Sequence, residues 1–346
     1  MMTLLAARSL RLSYTSPAIH MVFTGLVAFL TMFFLSPGRT NAQVHRYPRV
    51  DAAARHDRVL IVAPHVDDES IGAGGYALDA IAHGADVYVV FLTAGDCNRF
   101  SARILHKTFE PTASNFLSVG RTRIAEARTA MGMLGVPKEH FFMLGYPDRG
   151  LKTILANPYA IIRSSATHER SVPYDEAMSP GSPYSYDSLM ADMRRVVEIA
   201  KPTTIIAPVP FDLHPDHSAA ADLTDRVLDE LHLDPYRLGY LVHTSRIPTT
   251  LVPSKSRALL PPQRMRSFTW GTYPLTRDVQ RAKDALLRSY KSQRPYTYIL
   301  RSAFVRMNEL FFVYKPVAVV ESRRSQFSVL GSQLGSVLPD GSPALF

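Results

Sequence analysis

The chain has a single cysteine, Cys97, in 346 residues, so no intrachain disulfide can form and the fold has to rest on its core. It also lacks a full membrane-spanning apolar run. The stretch Met21 to Leu35 is uncharged and apolar but only 15 residues long, which as a helix reaches about 22 Å against roughly 30 Å of hydrocarbon. The formal net charge is +9, yet no dense basic tract interleaved with aromatics is present. Three of the arginines, Arg8, Arg11 and Arg39, sit in the N-terminal segment, and removing them leaves 9 − 3 = +6 scattered over helices and loops. That distribution argues against a nucleic-acid groove and for a generic basic face, compatible with an anionic glycan or membrane surface as neighbour. No repeat of fixed period occurs, which excludes solenoids and propellers.

Residues 1–42 contain no acid. Arg8 and Arg11 precede the apolar run, and Thr40 and Ala42 supply small residues where a signal peptidase reads. The segment reads as a secretory signal cleaved before Gln43 or, uncleaved, as a short membrane anchor over residues 18–35. Either way the globular part is expected to be exported, to the periplasm or beyond the cell, with membrane contact only through this segment. Residues 43–57 form a polar lead-in, and residues 326–346, rich in Ser and Gly, a loose tail. With 46% apolar composition the remaining 58–325 can bury one large core.

Within it, Val59 to Ala63 has the length and composition of a buried strand. A helical pattern follows from Ile71 to His83, closed by Gly84, and Asp86 to Thr93 is a second buried strand. Strand, helix, strand in about 35 residues is a βαβ unit. Further helices are expected at Arg121 to Leu134, Leu189 to Ala200, Ser218 to Leu231 and Asp278 to Tyr290, with Phe304 to Phe312 also read as helical. Strands are expected at Phe141 to Leu144, Thr203 to Pro208 and Gly239 to His243, and an edge strand at Val317 to Val320. The stretches 96–119, 151–186 and 244–276 read as loop insertions. The alternation predicts an α/β fold around a mostly parallel sheet, whose ligands bind beyond the carboxyl ends of the strands.

Two polar clusters stand at such ends. The first strand runs into His65-Val-Asp67-Asp68-Glu69, and the strand ending at Pro208 runs into Phe211-Asp-Leu-His214-Pro-Asp216-His217. Two imidazoles and a carboxylate, from His65, Asp68 and His217, are a donor set for a divalent ion with one position left open, the pattern of catalytic rather than structural zinc. Fe²⁺, Co²⁺ and Mn²⁺ suit the same donors. Asp67, beside a ligand, is placed to take a proton from a bound water. His214 would address the substrate, with Asp216 hydrogen-bonded to it and raising its pKa. Singly, each residue reads equally well as a surface or capping group: Asp68 or Ser70 could N-cap the helix that follows. A rival reading takes Gly72-Ala-Gly74-Gly-Tyr-Ala77 as a dinucleotide loop with Asp96 as ribose acid. Its glycines fall inside the helix, and Asp67, Asp68 and Glu69 would repel a pyrophosphate; close helix–sheet packing explains them better.

The pair of clusters resembles the zinc-dependent de-N-acetylases of the LmbE/PIG-L family, whose signatures are a strand followed by HPDDE and a later HxxH. The likeness extends from about Val59 to Glu309 and includes Arg123-Ile-Ala-Glu126, Gly145-Tyr-Pro-Asp148 and Lys283 through Gln293. The resemblance implies a Rossmann-like three-layer αβα fold and hydrolysis of an N-acetylated amino sugar or glycoconjugate, with no nucleic-acid partner. It implies His65, Asp68 and His217 as zinc ligands, Asp67 as general base, and His214, oriented by Asp216, as acid or oxyanion stabiliser. Arg123 and Asp148 match sugar-pocket positions, Arg123 being equally readable as a helix-surface partner of Glu126. Val66 departs from the family's usual proline without removing a ligand. A catalytically silent glycan- or nucleotide-binding module on the same scaffold is the alternative.

Overall fold

A computed structural model describes residues 46–244, 256–294 and 296–314. Five strands form a parallel array: β1 (Arg58–Ala63), β2 (Asp86–Thr93), β3 (Phe141–Tyr146), β4 (Thr204–Pro208) and β5 (Tyr236–Tyr240). Two more, β6 (Trp270–Pro274) and β7 (Asn308–Val313), add on antiparallel, giving the order β3-β2-β1-β4-β5-β7-β6. Val59, Leu60, Ile61, Val62 and Ala63 of β1 are fully buried, as a strand covered by helices on both faces has to be.

The helices are α1 (Asp68–Ala82), α2 (Arg99–His106), α3 (Ala113–Leu134), α4 (Leu151–Ala156), α5 (Tyr186–Ala200), α6 (Pro215–Glu230), α7 (Arg277–Ser289) and α8 (Tyr296–Phe304). The strand order sets the site. The chain moves outward from β1 through β2 to β3, then returns to the other side of β1 with β4, whose Thr204, Ile205 and Ile206 pair with Val59, Leu60 and Ile61. This reversal is a topological switch point, and it brings the carboxyl ends of β1 and β4 side by side with a crevice between them. The expected α/β architecture with a mostly parallel sheet is therefore the one found.

Several elements differ from the sequence expectation. Residues 96–119 are no loop insertion: they hold α2 and the first turns of α3. Asn98 caps α2 by accepting from Ser101 N, and Thr112 and Asn115 form a reciprocal capping box on α3. Capping chemistry, which periodicity does not register, starts both. The stretch 151–186 contains α4 but is otherwise irregular, tied by a bridge between Ser171 and Pro183. β6 lies within 244–276, and the expected helix at Phe304 to Phe312 is instead the end of α8 followed by β7. An apolar run of that length has no period that separates strand from helix, and pairing with both β5 and β6 decides it. The N-terminal segment, the proposed edge strand at 317–320 and the tail lie outside the described residues.

The α1 glycines do serve packing. A Cβ on Gly72 would meet the Tyr240 ring at 2.5 Å, and one on Gly75 would meet Leu275 at 2.6 Å. Helix α1 is also clamped from the other side of the sheet order. Buried Glu309 of β7 accepts from Gly75 N at 2.7 Å and Tyr76 N at 2.8 Å, and pairs with buried Lys283 of α7, whose Nζ donates to the Ile71 carbonyl at 2.9 Å.

Candidate active site

The turn from β1 into α1 is strained. Asp67 has φ +114°, in the left-handed region that a non-glycine residue enters at a cost of about 1–3 kcal/mol. Its surroundings hold it there. The Asp67 carbonyl accepts from Ser70 N at 3.1 Å and Ile71 N at 3.0 Å, and its own N–H donates to Glu69 Oε2 at 3.2 Å. Glu69 is fixed in turn by the hydroxyls of Ser70 and Tyr290. From α3, buried Arg123 donates to the carbonyls of Val66 and Gly95, its guanidinium 3.7 Å from Asp67 Oδ1. Arg123 is thus no helix-surface partner of Glu126, which instead accepts from Ser292 N and Oγ. Its guanidinium fork is turned onto the backbone of the turn from β1 into α1, beside the Asp67 carboxyl.

The three expected metal ligands converge on one atom. Asp68 Oδ2 lies 3.2 Å from His65 Nδ1 and 3.1 Å from His217 Nε2, and it accepts from His65 N at 2.9 Å. His217, in the first turn of α6, is wholly buried, and neither ring nitrogen is in hydrogen-bonding geometry. Its Nδ1 is 3.3 Å from Asp212 Oδ2. A buried imidazole facing carboxylates on both sides without forming a hydrogen bond to either is suited to a cation between Nε2 and Asp68, with Asp212 behind it as orienting carboxylate. His65, His214 and His217 also bring ligand atoms within 4.8 Å of one another, as do Asp212, His217 and His243, and His65, Asp148 and Asp216. The residues present fit a divalent metal.

Charge follows from this crowding. Burial pushes the Asp67 carboxyl up to about 8 against the opposing pull of Arg123, with Asp68 and Glu69 adding to the rise. Burial likewise pushes Glu69 up to about 7. Burial works against the charged form of His217, but Asp68 and Asp212 prevail and raise it to about 9. His65 is also raised, by Asp148, Asp216 and Asp68 against its burial. Asp68 is held low by His217 and His65, although burial opposes this.

His214 is the exception, and it corrects the expectation of a protonated imidazole. Burial, followed by the neighbouring His65, His217 and His243, lowers it to about 2, so the ring is neutral. Its Nδ1 accepts from the backbone N–H of Asp216 at 3.2 Å, which leaves the proton on Nε2. The Asp216 carboxylate does not orient His214. It accepts from Arg149 N at 2.5 Å and Leu151 N at 3.1 Å and faces His65 Nε2 at 3.3 Å. His214 is the N-cap of α6, and a cap side chain turns toward backbone amides of the first turn, here the one belonging to Asp216. Asp148 stands at the site, Oδ1 3.3 Å from His65 Nε2 and Oδ2 accepting from Cys97 N at 2.9 Å.

Sequence reasoning passed over Asp212 and His243. Asp212 accepts from the backbone of His214, Val242 and His243 at 2.9, 2.9 and 3.1 Å and meets His243 Nδ1 at 3.1 Å. Both residues stand just beyond the carboxyl ends of neighbouring strands, β4 and β5, and that position was the available signal.

The sequence model of one family, described as PIG-L, GlcNAc-PI de-N-acetylase, matches residues 60–228, a span from β1 to α6 that contains both polar clusters. A 1D-myo-inositol 2-acetamido-2-deoxy-alpha-D-glucopyranoside deacetylase from Actinosynnema mirum is 29% identical over 174 residues, covering 48% of this chain and 53% of that protein. A protein of the same name from Corynebacterium glutamicum is 28% identical over 179 residues, covering 50% and 53%. The chain spans about half the length of the curated relatives it matches. Among solved structures, the N,N'-diacetylchitobiose deacetylase from Pyrococcus horikoshii aligns over 78% of this chain and 88% of its own at 17% identity, with a TM-score of 0.47.

Proposed function

We propose that the protein is a metal-dependent hydrolase, because residues 60–228 match the model of the PIG-L, GlcNAc-PI de-N-acetylase family and carry a donor set that suits a divalent ion. It removes the N-acetyl group from an N-acetylglucosamine-type amino sugar or glycoconjugate. The observation that carries the reading is the convergence of His65 and His217 on Asp68 Oδ2, with Asp67 and His214 alongside. A divalent ion, zinc first among candidates, supplies at such a site a more acidic water and a polarised acyl oxygen. The remaining work falls to the chain. Ionised Asp67 takes the proton from the attacking water; burial raises its proton affinity, and a cation bound at Asp68 would draw it back toward the ionised form that a base needs. The neutral His214 ring donates from Nε2 to the negative charge developing on the acyl oxygen, its other nitrogen being occupied by Asp216 N–H. An amine leaves only when protonated, and the proton gathered by Asp67 is available to it. Asp148, beside His65, is the residue we assign to a sugar hydroxyl. The signal-like composition of residues 1–42 supports export.

The test is acetate release from a panel of soluble and polymeric N-acetylglucosamine compounds, before and after chelation and with zinc restored. Acetate should stop on chelation and return with metal. Asp67→Asn should keep its metal and lose about 10²–10⁴-fold in turnover. Full turnover in that variant would remove Asp67 as base, and bound metal without acetate from any compound would favour a glycan-binding module instead.

A further inference from the structure

The helix beginning next to the site carries large apolar side chains that the described residues leave substantially exposed. In α2, Ser101 and Ala102 point inward and are buried, whereas Phe100, Ile104 and Leu105 are 43%, 56% and 43% exposed. Phe109, just past the helix, is 89% exposed. Single exposed apolar residues are ordinary, but Phe100 and Ile104 share one helix face, and Leu105 and Phe109 add two more exposed apolar side chains close by in the chain. Cations are threaded through it: residues 98–110 hold Arg99, Arg103 and Lys107 against one acid, Glu110. Arg99 pairs with Glu110 at the exposed surface, and Arg103 Nε donates to the Phe109 carbonyl at 2.9 Å, tying the backbone of Phe109 to the helix.

Apolar side chains flanked by Arg and Lys on a short surface helix are the composition of an element that lies in a lipid interface. A second copy of the chain would bring the same positive charge against itself. Anionic headgroups complement it, and the acyl region beneath receives the four apolar side chains. The attachment is rigid. Asn98 Nδ2 donates to Gln293 at 3.0 Å, Ser101 Oγ donates to the Ser292 carbonyl at 2.8 Å, and the preceding Cys97 N–H donates to Asp148 Oδ2 at 2.9 Å. Asp148 in turn touches His65. We propose that α2 and Phe109 insert into the headgroup layer of an anionic bilayer, which seats the mouth of the candidate active site at the membrane surface. The inference rests on this face and its charge, and stands apart from the reaction assigned to the site.

The chain's one tryptophan, Trp270, is 2% exposed, so Phe109→Trp in the full chain supplies a local reporter. On vesicles of phosphatidylcholine with about 30% phosphatidylglycerol, its emission should shift to the blue and be quenched by brominated acyl chains. Adding Arg103→Glu and Lys107→Glu should weaken vesicle binding of the reporter at least about tenfold. No shift and no quenching on either anionic or neutral vesicles would overturn the inference. So would a blue shift without vesicles, whether it fades on dilution, as for a second copy, or persists, as for cover by the chain's own residues 21–35. Acetate release from a soluble N-acetylglucosamine compound, measured on the same protein, separates the two readings. Release without quenching overturns the membrane surface alone, and quenching without release supports the surface while counting against the deacetylase.

Discussion

Asp212 touches more of the site than any residue its motif singles out. It faces the rear nitrogen of His217, fixes the backbone of His214, and binds both the backbone and ring of His243, so one carboxylate holds the ends of β4 and β5 in register. Orienting carboxylates behind a metal-bound imidazole typically contribute 10–100-fold in metal affinity. Asp212→Ala should therefore weaken zinc binding by about 10–100-fold in competition with a chromophoric chelator. An unchanged affinity would reduce Asp212 to a loop brace. His65, Asp67 and Asp68 stood out in the sequence because they follow closely on the buried β1, and His214 and His217 because they form a second such cluster beyond β4. Asp212 and His243 did not stand out although both follow strands, because only the sheet order, which sets β5 beside β4, brings them together. Asp216 shows the opposite failure. Adjacency suggested a side-chain contact with His214, whereas the cap geometry uses its backbone N–H and sends its carboxylate to Arg149 and Leu151.

Among the elements, those with an apolar run or a clear helical period declared themselves: β1, β2, β4, α6 and α7 lie within a few residues of where their patterns put them. Those set by caps or by pairing did not, and α2 and β7 are the examples. Glycine in α1 gives a sharp test of how tightly two elements meet. Gly72→Ala drives a methyl to 2.5 Å from the Tyr240 ring, and that ring cannot retreat freely because its hydroxyl donates to the Val62 carbonyl at 2.9 Å. Overpacking costs roughly 1–3 kcal/mol, against about 1 kcal/mol gained in helix propensity. The net should be destabilising. Gly132→Ala in α3 isolates the second effect, because its Cβ meets nothing within 4 Å. Urea unfolding should show that variant more stable than the parent by roughly 0.5–1 kcal/mol and Gly72→Ala less stable. Equal shifts in the two would mean that the α1–β5 contact yields easily.

For the molecule as a whole, the reversal of strand order concentrates acids and imidazoles into one buried crevice, and the protein's response to pH follows from that concentration. In the metal-free protein Asp67 holds its proton up to about 8, whereas an unfolded carboxyl releases its own near ~4. Between those values the folded state binds more protons, so stability falls as pH rises. Glu69 and Asp96, both pushed to about 7 first by burial, act in the same direction. His217 adds to it: its stabilising charge is fully present below the unfolded value, near ~6.5, and is lost as pH rises through about 9. Asp68, Asp148 and Asp212 are depressed, so their contributions disappear only in acid and leave this window unaffected. Chelated protein should therefore lose melting temperature steadily from pH 6 to pH 9. A metal ion competes with the proton for His217, so its affinity should rise over the same range, with protons released on binding. Because ligand stabilisation grows with the logarithm of affinity, the gap between metal-loaded and chelated melting temperatures should widen toward pH 9. Calorimetry at fixed free zinc measures that gap directly. A gap constant across the range would mean that the metal and the His217 proton do not share a site, and would move the ligand set away from His65, Asp68 and His217.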